Sequence, residues 1–135
     1  MSISARKFVI HIVLPLFAGL IIYIVFRKNT WLHQHIFPID FSLNNPFKGW
    51  LADLIAFNLP DFCWSYSLTS ALFIWERKAN MHIPYFPAYI LLCLLAAEAV
   101  QSLLASRFTF DWFDMIAAIF AFLLSYFANR KNEKI

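Results

Sequence analysis

Apolar residues fall in four long runs along the chain, and polar residues gather between these runs. Residues 8–26 contain no Asp, Glu, Lys or Arg, and further runs follow at 61–76, 85–106 and 112–128. At a rise of about 1.5 Å per residue, about 20 apolar residues cross the hydrocarbon core of a bilayer as a helix. The pattern therefore predicts an all-α membrane protein, with four transmembrane helices bundled in a single domain over residues 1–135.

The connection between the first two runs, residues 29–59, has a helical pattern of its own. Asn45-Pro46 is a helix start signal, and apolar residues follow it at helical spacing. We expect a short helix over about residues 46–57 that lies on the outer surface of the membrane. Direct lipid recognition by this helix and a lid that packs on the bundle both fit the pattern.

The composition of the chain agrees with a lipid environment. The chain is 61% apolar and 14% charged, whereas soluble proteins are roughly half apolar and a quarter charged. Aromatic residues reach 19%, which suits lipid contact and interfacial belts. The net charge of +3 is distributed in basic pairs beside the apolar runs and not along a groove-binding stripe. A nucleic-acid partner is therefore not expected.

Lys and Arg residues predict the orientation of the four spans. Both termini and the connection between the second and third spans share one side of the membrane. That side carries seven basic residues against four on the other, so the positive-inside rule predicts cytoplasmic termini. The seven are Arg6, Lys7, Arg77, Lys78, Arg130, Lys131 and Lys134.

Polar side chains within the apolar runs or at their ends are the candidate functional residues, because a charge at mid-bilayer costs about 3 kcal/mol. Glu98 lies well inside the third run, and Gln101 follows it one turn later on the same helical face. In the predicted topology, the outer half of the bundle collects a polar site of six side chains. These are Asp61, Glu98, Gln101, Arg107, Asp111 and Asp114.

These residues also have purely structural interpretations. Asp111 and Asp114 fit a capping box at the start of the fourth run. Arg107 fits a headgroup anchor, and Glu98 with Gln101 fits hydrogen bonding between helices. From the residues alone, both the structural and the functional interpretations stay open.

No motif in the sequence indicates a metal site, a cofactor or a named class of enzyme. His33 and His35 are two residues apart, but no Cys or carboxylate cluster accompanies them. Glycine-rich phosphate loops and nucleophile elbows are also absent from the sequence. His11, inside the first run, is expected to be a packed, hydrogen-bonded group. The one enzymatic hypothesis is a membrane-embedded hydrolase or transferase with Glu98 as general base.

The polar positions toward the C-terminus resemble a known family. Their pattern is similar to the C-terminal signature of the VanZ-like family of small bacterial membrane proteins, over about a third of the chain. The resemblance implies a bacterial cytoplasmic membrane and a link to low-level resistance against lipid-tailed glycopeptide antibiotics, without an established mechanism. The matching positions are Glu98-x-x-Gln101, Arg107 and Asp111-x-x-Asp114.

The chain also departs from the pattern of this family. After Asp61, the family often carries a Lys and a His, where this chain has Phe62 and Ser65. An Asn and two Gly of the family are replaced in the fourth run, which keeps the small size needed for helix packing but loses the amide. The replacing residues are Ala118, Ala121 and Ser125. The resemblance therefore carries over no activity that needs that Lys, His or Asn.

The sequence leaves three hypotheses for function. The first is a non-enzymatic protein whose outer-leaflet polar site binds an amphiphilic envelope component, such as a lipid-linked intermediate or a lipopeptide or glycopeptide antibiotic. Arg107 would bind a phosphate or carboxylate of this ligand. The second is an accessory or scaffold subunit that pairs with a membrane-protein partner, and the third is the hydrolase or transferase that uses Glu98.

Overall fold

The computed structural model describes residues 5–26, 49–81, 83–103 and 112–130. This described part of the chain is helical and contains no strand, so the all-α prediction is confirmed there. By length and apolar composition, the first and fourth helices are long enough to cross a membrane. The four helices are α1 (Ala5–Phe26), α2 (Trp50–Lys78), α3 (Phe86–Leu103) and α4 (Trp112–Arg130).

α1 covers the first predicted span and begins one turn earlier. Within it, Val9–Val13 forms a π-helical turn, an arrangement that is frequent at functional sites. A proline in a regular α-helix crowds the carbonyl group four residues before it. For Pro15 this carbonyl belongs to His11, which lies in the π-helical turn. The π-helical turn therefore lies at the position where the ring of Pro15 would clash with a regular α-helix.

α2 replaces two elements that the sequence predicts separately. A surface helix over about 46–57 and a span at 61–76 are expected, but Trp50–Lys78 forms one helix. Pro60 lies inside this helix and is fully buried. A proline removes a single N–H group, and neighbouring helices can compensate for that loss. The predicted separation of the two elements between residues 57 and 61 is therefore wrong, and the described part of the surface helix is the first half of α2.

α2 ends in a Schellman motif. Asn80 has a left-handed backbone conformation, with φ at 52°, and its N–H group donates to the Arg77 carbonyl at 3.2 Å. The N–H group of Met81 donates to the Glu76 carbonyl, also at 3.2 Å. After glycine, asparagine is the residue best suited to this position. The motif ends the helix and turns the chain toward α3.

α2 and α4 run parallel to each other. The Phe62 and Phe120 rings lie 6.1 Å apart between centroids, and the Ser70 and Ser125 hydroxyl oxygens lie 2.9 Å apart. The contacting residues thus follow the same order along both helices. The C-terminal ends of α2 and α4 therefore lie at the same end of the molecule.

Small residues make the contact between α2 and α4. Ala118, Ala121 and Ser125 share one face of α4 and are 1%, 0% and 0% exposed. Thr69 and Ser70 on α2 are also fully buried. Small side chains let two helix backbones approach closely. The prediction that the three α4 positions serve helix packing is confirmed.

An aromatic and aliphatic cluster joins α3 to the other two helices. Phe73 of α2 and Phe122 of α4 are buried, and their ring centroids lie 6.1 Å apart. Ile90 and Leu94 of α3 are buried in the same cluster. α3 therefore packs on the C-terminal halves of α2 and α4.

α1 runs antiparallel to α2 and approaches it closely at Gly19. The His11 side chain contacts Tyr66, whereas Gly19 lies beside Cys63. A Cβ atom at position 19 would lie 2.9 Å from the Cys63 Cβ and 3.0 Å from the Trp64 Cδ1. Carbon atoms normally pack at about 3.5–4.0 Å. Glycine at position 19 is therefore needed for the close approach of the two helices.

Replacement of Gly19 by leucine should weaken the packing of α1 on α2. The new side chain has no room beside Cys63, so we expect the free energy of unfolding to fall by about 1–3 kcal/mol. Titration of the purified protein from mild detergent into SDS, followed by circular dichroism, measures this change. Ala96→Leu adds similar bulk at an exposed position of α3 and is the control. Equal losses in the two variants would contradict the close approach.

Candidate functional site

The structure describes the side chains of two of the six predicted site residues. Asp61 lies in α2 directly after the buried Pro60, and Asp114 lies in the first turn of α4. Both carboxylates are half-buried, and both take part in interactions within the protein. Each of them therefore occupies a polar position on a helix that is otherwise largely apolar.

The other four predicted residues lie outside this description. Glu98 and Gln101 belong to α3, but their side chains fall outside the described part of the structure. Arg107 and Asp111 lie outside the described residues altogether. The convergence of all six side chains on one ligand therefore stays a prediction.

An apolar cleft opens between the first halves of α2 and α4, and we refer to it as the outer cleft. Its volume is about 350 Å³, within the range of pockets that bind small ligands. Apart from Asn58, the side chains that line it are apolar, so it suits a hydrocarbon chain. The lining residues are Ile55, Asn58, Leu59, Phe62, Phe113, Ile116, Ala117 and Phe120.

Both described carboxylates lie beside the outer cleft. Asp61 directly precedes the lining residue Phe62, and Asp114 directly follows the lining residue Phe113. Neighbouring residues on a helix point about 100° apart. Each carboxylate therefore neighbours a lining residue along its helix but is not itself part of the lining.

Polar side chains with hydrogen bonds between helices follow one another through the interior from α1 to α4. His11 Nδ1 lies 2.7 Å from the Tyr66 hydroxyl oxygen, and Ser70 follows Tyr66 one turn later on α2. Ser70 Oγ lies 2.9 Å from Ser125 Oγ. The Asn129 amide donates to the Ser125 carbonyl at 2.8 Å. These five residues form what we call the polar track.

The polar track satisfies buried polar groups and connects three helices. Ser70 and Ser125 are fully buried, and Asn129 is 9% exposed. A buried polar group without a partner is costly, so a satisfied network favours one register of the helices over others. The prediction that His11 is packed and hydrogen-bonded is confirmed. Its partner and the serine pair were not predicted, because the residues that meet are 55 positions apart in the chain.

No protein-family model, curated protein or solved structure matches this chain. The resemblance to the VanZ-like family therefore stays a prediction. Among the residues that the structure describes, no group of three or more His, Cys, Asp or Glu side chains could hold a metal ion.

The hydroxyl contact between Ser70 and Ser125 should contribute measurably to stability. In a double-mutant cycle, Ser70→Ala and Ser125→Ala should be coupled by about 0.6 kcal/mol, the average for such bonds in membrane helices. The free energies of unfolding come from the same SDS titration. Ser67→Ala with Ser125→Ala is the matched control, because Ser67 Oγ donates to the Cys63 carbonyl of its own helix. The same coupling in both cycles would refute a direct bond between Ser70 and Ser125.

Proposed function

We propose that this chain is a multi-pass membrane protein that holds the apolar tail of an amphiphilic envelope component in the outer cleft. The observation that carries the proposal is the cleft itself, an apolar slot between two helices, each of which has a carboxylate next in the chain to a lining residue. In this proposal, the outer cleft is part of a bundle of four transmembrane helices.

The exposed surface of the described helices supports a lipid environment. Leu14, Phe17, Leu92 and Phe127 are large apolar side chains that are between 59% and 64% exposed. They lie on α1, α3 and α4, so apolar surface faces outward on three helices. Soluble monomers rarely expose contiguous apolar patches of more than a few hundred Å². Lipid acyl chains are the surroundings in which such a surface is stable.

The directions of the helices support the proposed topology. Because α1 is antiparallel to α2, the basic pair Arg6-Lys7 at the start of α1 is at the same end as Arg77-Lys78. Basic residues of membrane proteins concentrate on the cytoplasmic side. The outer cleft lies toward the opposite ends of α2 and α4, in the half that faces the outer leaflet under this topology.

The ligand that fits this position has an acyl or prenyl tail and a polar head. The aromatic walls of the cleft, such as Phe62 and Phe120, take up the tail. Asp61 and Asp114 attract amine or sugar hydroxyl groups of the head. Arg107, which lies outside the described residues, would bind a phosphate or carboxylate. Lipid-linked envelope intermediates and lipopeptide or glycopeptide antibiotics belong to this chemical class.

An accessory subunit of a larger membrane complex is the second candidate function. Ile90 and Leu94 are the buried side chains among those described in α3, whereas Tyr89, Leu92 and Ala96 are exposed. Apolar and small residues on one helix are the surface against which a partner's helices pack in a membrane. A stoichiometric protein partner in native mass spectra, without a bound amphiphile, would favour this candidate over the first.

Accessibility of single cysteines tests the topology. In a background with Cys63→Ala and Cys93→Ala, the variants Ser2→Cys and Glu133→Cys should be protected from a membrane-impermeant maleimide in intact cells, because both termini face the cytoplasm. Gln34→Cys, in the external connection, should be labelled. Permeabilised cells are the control, in which all three variants should react. Labelling of either terminus in intact cells would overturn the proposed orientation.

Filling the outer cleft should exclude the amphiphile. Ala117 is a half-buried lining residue, and Ala117→Trp places an indole where the tail would lie. In nanodiscs with a diazirine-tailed phospholipid, crosslinking to Phe62 and Phe120 should fall about tenfold, the change that about 1.4 kcal/mol of lost affinity produces. The measurement is mass spectrometry of crosslinked peptides.

The matched control is Ala96→Trp, which adds the same ring at an exposed position of α3 and should leave crosslinking in the cleft unchanged. A second variant, Arg107→Glu, should release an amphiphile with an anionic head through charge repulsion. Unchanged crosslinking to the cleft in Ala117→Trp would exclude the cleft as the tail site.

A further inference from the structure

A second pocket lies at the other end of the α2–α4 pair, and we refer to it as the end pocket. Its volume is about 510 Å³. It is formed by the C-terminal ends of α2 and α4, the start of α3 and the connection before α3. Its lining combines charged, amide and aromatic side chains, including Glu76, Arg77, Tyr85, Tyr126 and Asn129. This composition differs from that of the outer cleft and indicates a polar ligand.

Arg77 is held at the wall of the end pocket. Its Nη2 atom donates a hydrogen bond to the Asn129 carbonyl near the C-terminus of α4. A guanidinium has five N–H donors in a planar fork, a geometry that matches the oxygens of a phosphate. The bond to Asn129 fixes the position of the fork across the two helices. Arg77 can therefore present a pre-oriented positive group to a phosphate.

Glu76 adds a negative charge to the same lining. It directly precedes Arg77 and is half-buried. An anion alone would meet repulsion from this carboxylate, whereas a group with one negative and one positive charge satisfies both residues. The aromatic side chains of Tyr85 and Tyr126 can also face an ammonium group through cation–π contact. The lining thus favours a zwitterion over a simple anion.

The backbone of Tyr85 is unusual for an aromatic residue. Pro84 and Tyr85 are the central residues of a turn closed by a bond from the Phe86 N–H group to the Ile83 carbonyl at 3.2 Å. Tyr85 has φ at 61°, in a turn position that normally takes glycine. Its side chain is 79% exposed, so burial does not offset the strain. Strained residues of this kind concentrate at functional sites.

We propose that the end pocket binds a phosphate ester that carries a primary amine. Arg77 binds the phosphate, Glu76 binds the ammonium group, and the Tyr85 ring covers the bound group at the mouth of the pocket. The same chemistry occurs in the headgroup of phosphatidylethanolamine and in free phosphoethanolamine. Binding of phosphatidylethanolamine from the cytoplasmic leaflet depends on the membrane topology proposed above, whereas binding of the free compound does not.

Native mass spectrometry of the full chain tests this site. The protein is exchanged into detergent with equal amounts of phosphatidylethanolamine and phosphatidylglycerol, and the retained lipid is measured. We expect preferential retention of phosphatidylethanolamine. Glu76→Gln should reduce the preference at least fivefold, and Arg77→Gln should reduce retention of both lipids. Lys78→Gln removes a neighbouring exposed charge that does not line the pocket and should retain the lipids as the natural chain does.

Tyr85→Gly separates a binding role from a structural one. Glycine accepts the left-handed backbone without strain, so the melting temperature of this variant should rise. Retention of phosphatidylethanolamine should nevertheless fall at least fivefold, because the aromatic cover is lost. A purely structural role of Tyr85 predicts the first change without the second.

Free phosphoethanolamine is added in a further arm of the experiment. If the free compound displaces the lipid at millimolar concentration, the site recognises the headgroup alone. If it does not, binding also requires the acyl chains of the lipid. Either result supports the proposed chemistry. Equal retention of the two lipids, or unchanged retention in both Glu76→Gln and Tyr85→Gly, overturns it. Because Glu76→Gln and Tyr85→Gly change the end pocket and leave the lining of the outer cleft intact, their effect on retention distinguishes failure of this proposal from failure of ligand binding in the outer cleft.

Discussion

The close parallel contact between α2 and α4 is the constraint on which the rest of the structure depends. Thr69, Ser70, Ala121 and Ser125 are 0% exposed, and their small side chains allow the two backbones to meet. Small side chains alone would allow several registers of the two helices. The hydrogen bond between the Ser70 and Ser125 hydroxyl groups favours one of these registers. Larger aromatic residues line the space between the helices on both sides of this contact. The outer cleft and the end pocket are therefore consequences of one pattern, with small residues in the middle and aromatic residues toward each end.

Among the described residues, the sequence predicts which segments are helical well, because long apolar runs determine them. The starts of α3 and α4 lie within a residue of the predicted spans. The predicted gap between residues 57 and 61, in which Pro60 lies, fails for a tertiary reason. Proline is a break signal in an isolated helix, but here the ring is buried, and packing on the neighbouring helices lets the helix continue. Hydropathy is a local quantity, and it does not contain this information.

The candidate site is predictable only in part, for a related reason. Asp61 and Asp114 stand out in the sequence because each is a carboxylate in apolar surroundings. The outer cleft does not, because residues more than 50 positions apart in the chain form its walls and its shape depends on how their rings pack. In the sequence, Ser125 indicates only a small packing residue. Its role in the polar track appears when α4 lies beside α2 and the two hydroxyl groups meet.

The two left-handed residues in the connection between α2 and α3 have different explanations. At Asn80, the backbone conformation follows from helix termination, because the Schellman bonds require it and asparagine tolerates it. At Tyr85, the turn requires a positive φ, but nothing in the turn requires a phenol ring, and glycine would meet the same requirement without strain. Burial does not explain the ring either, since it is largely exposed. What remains is the position of the ring in the lining of a pocket that also contains Glu76 and Arg77.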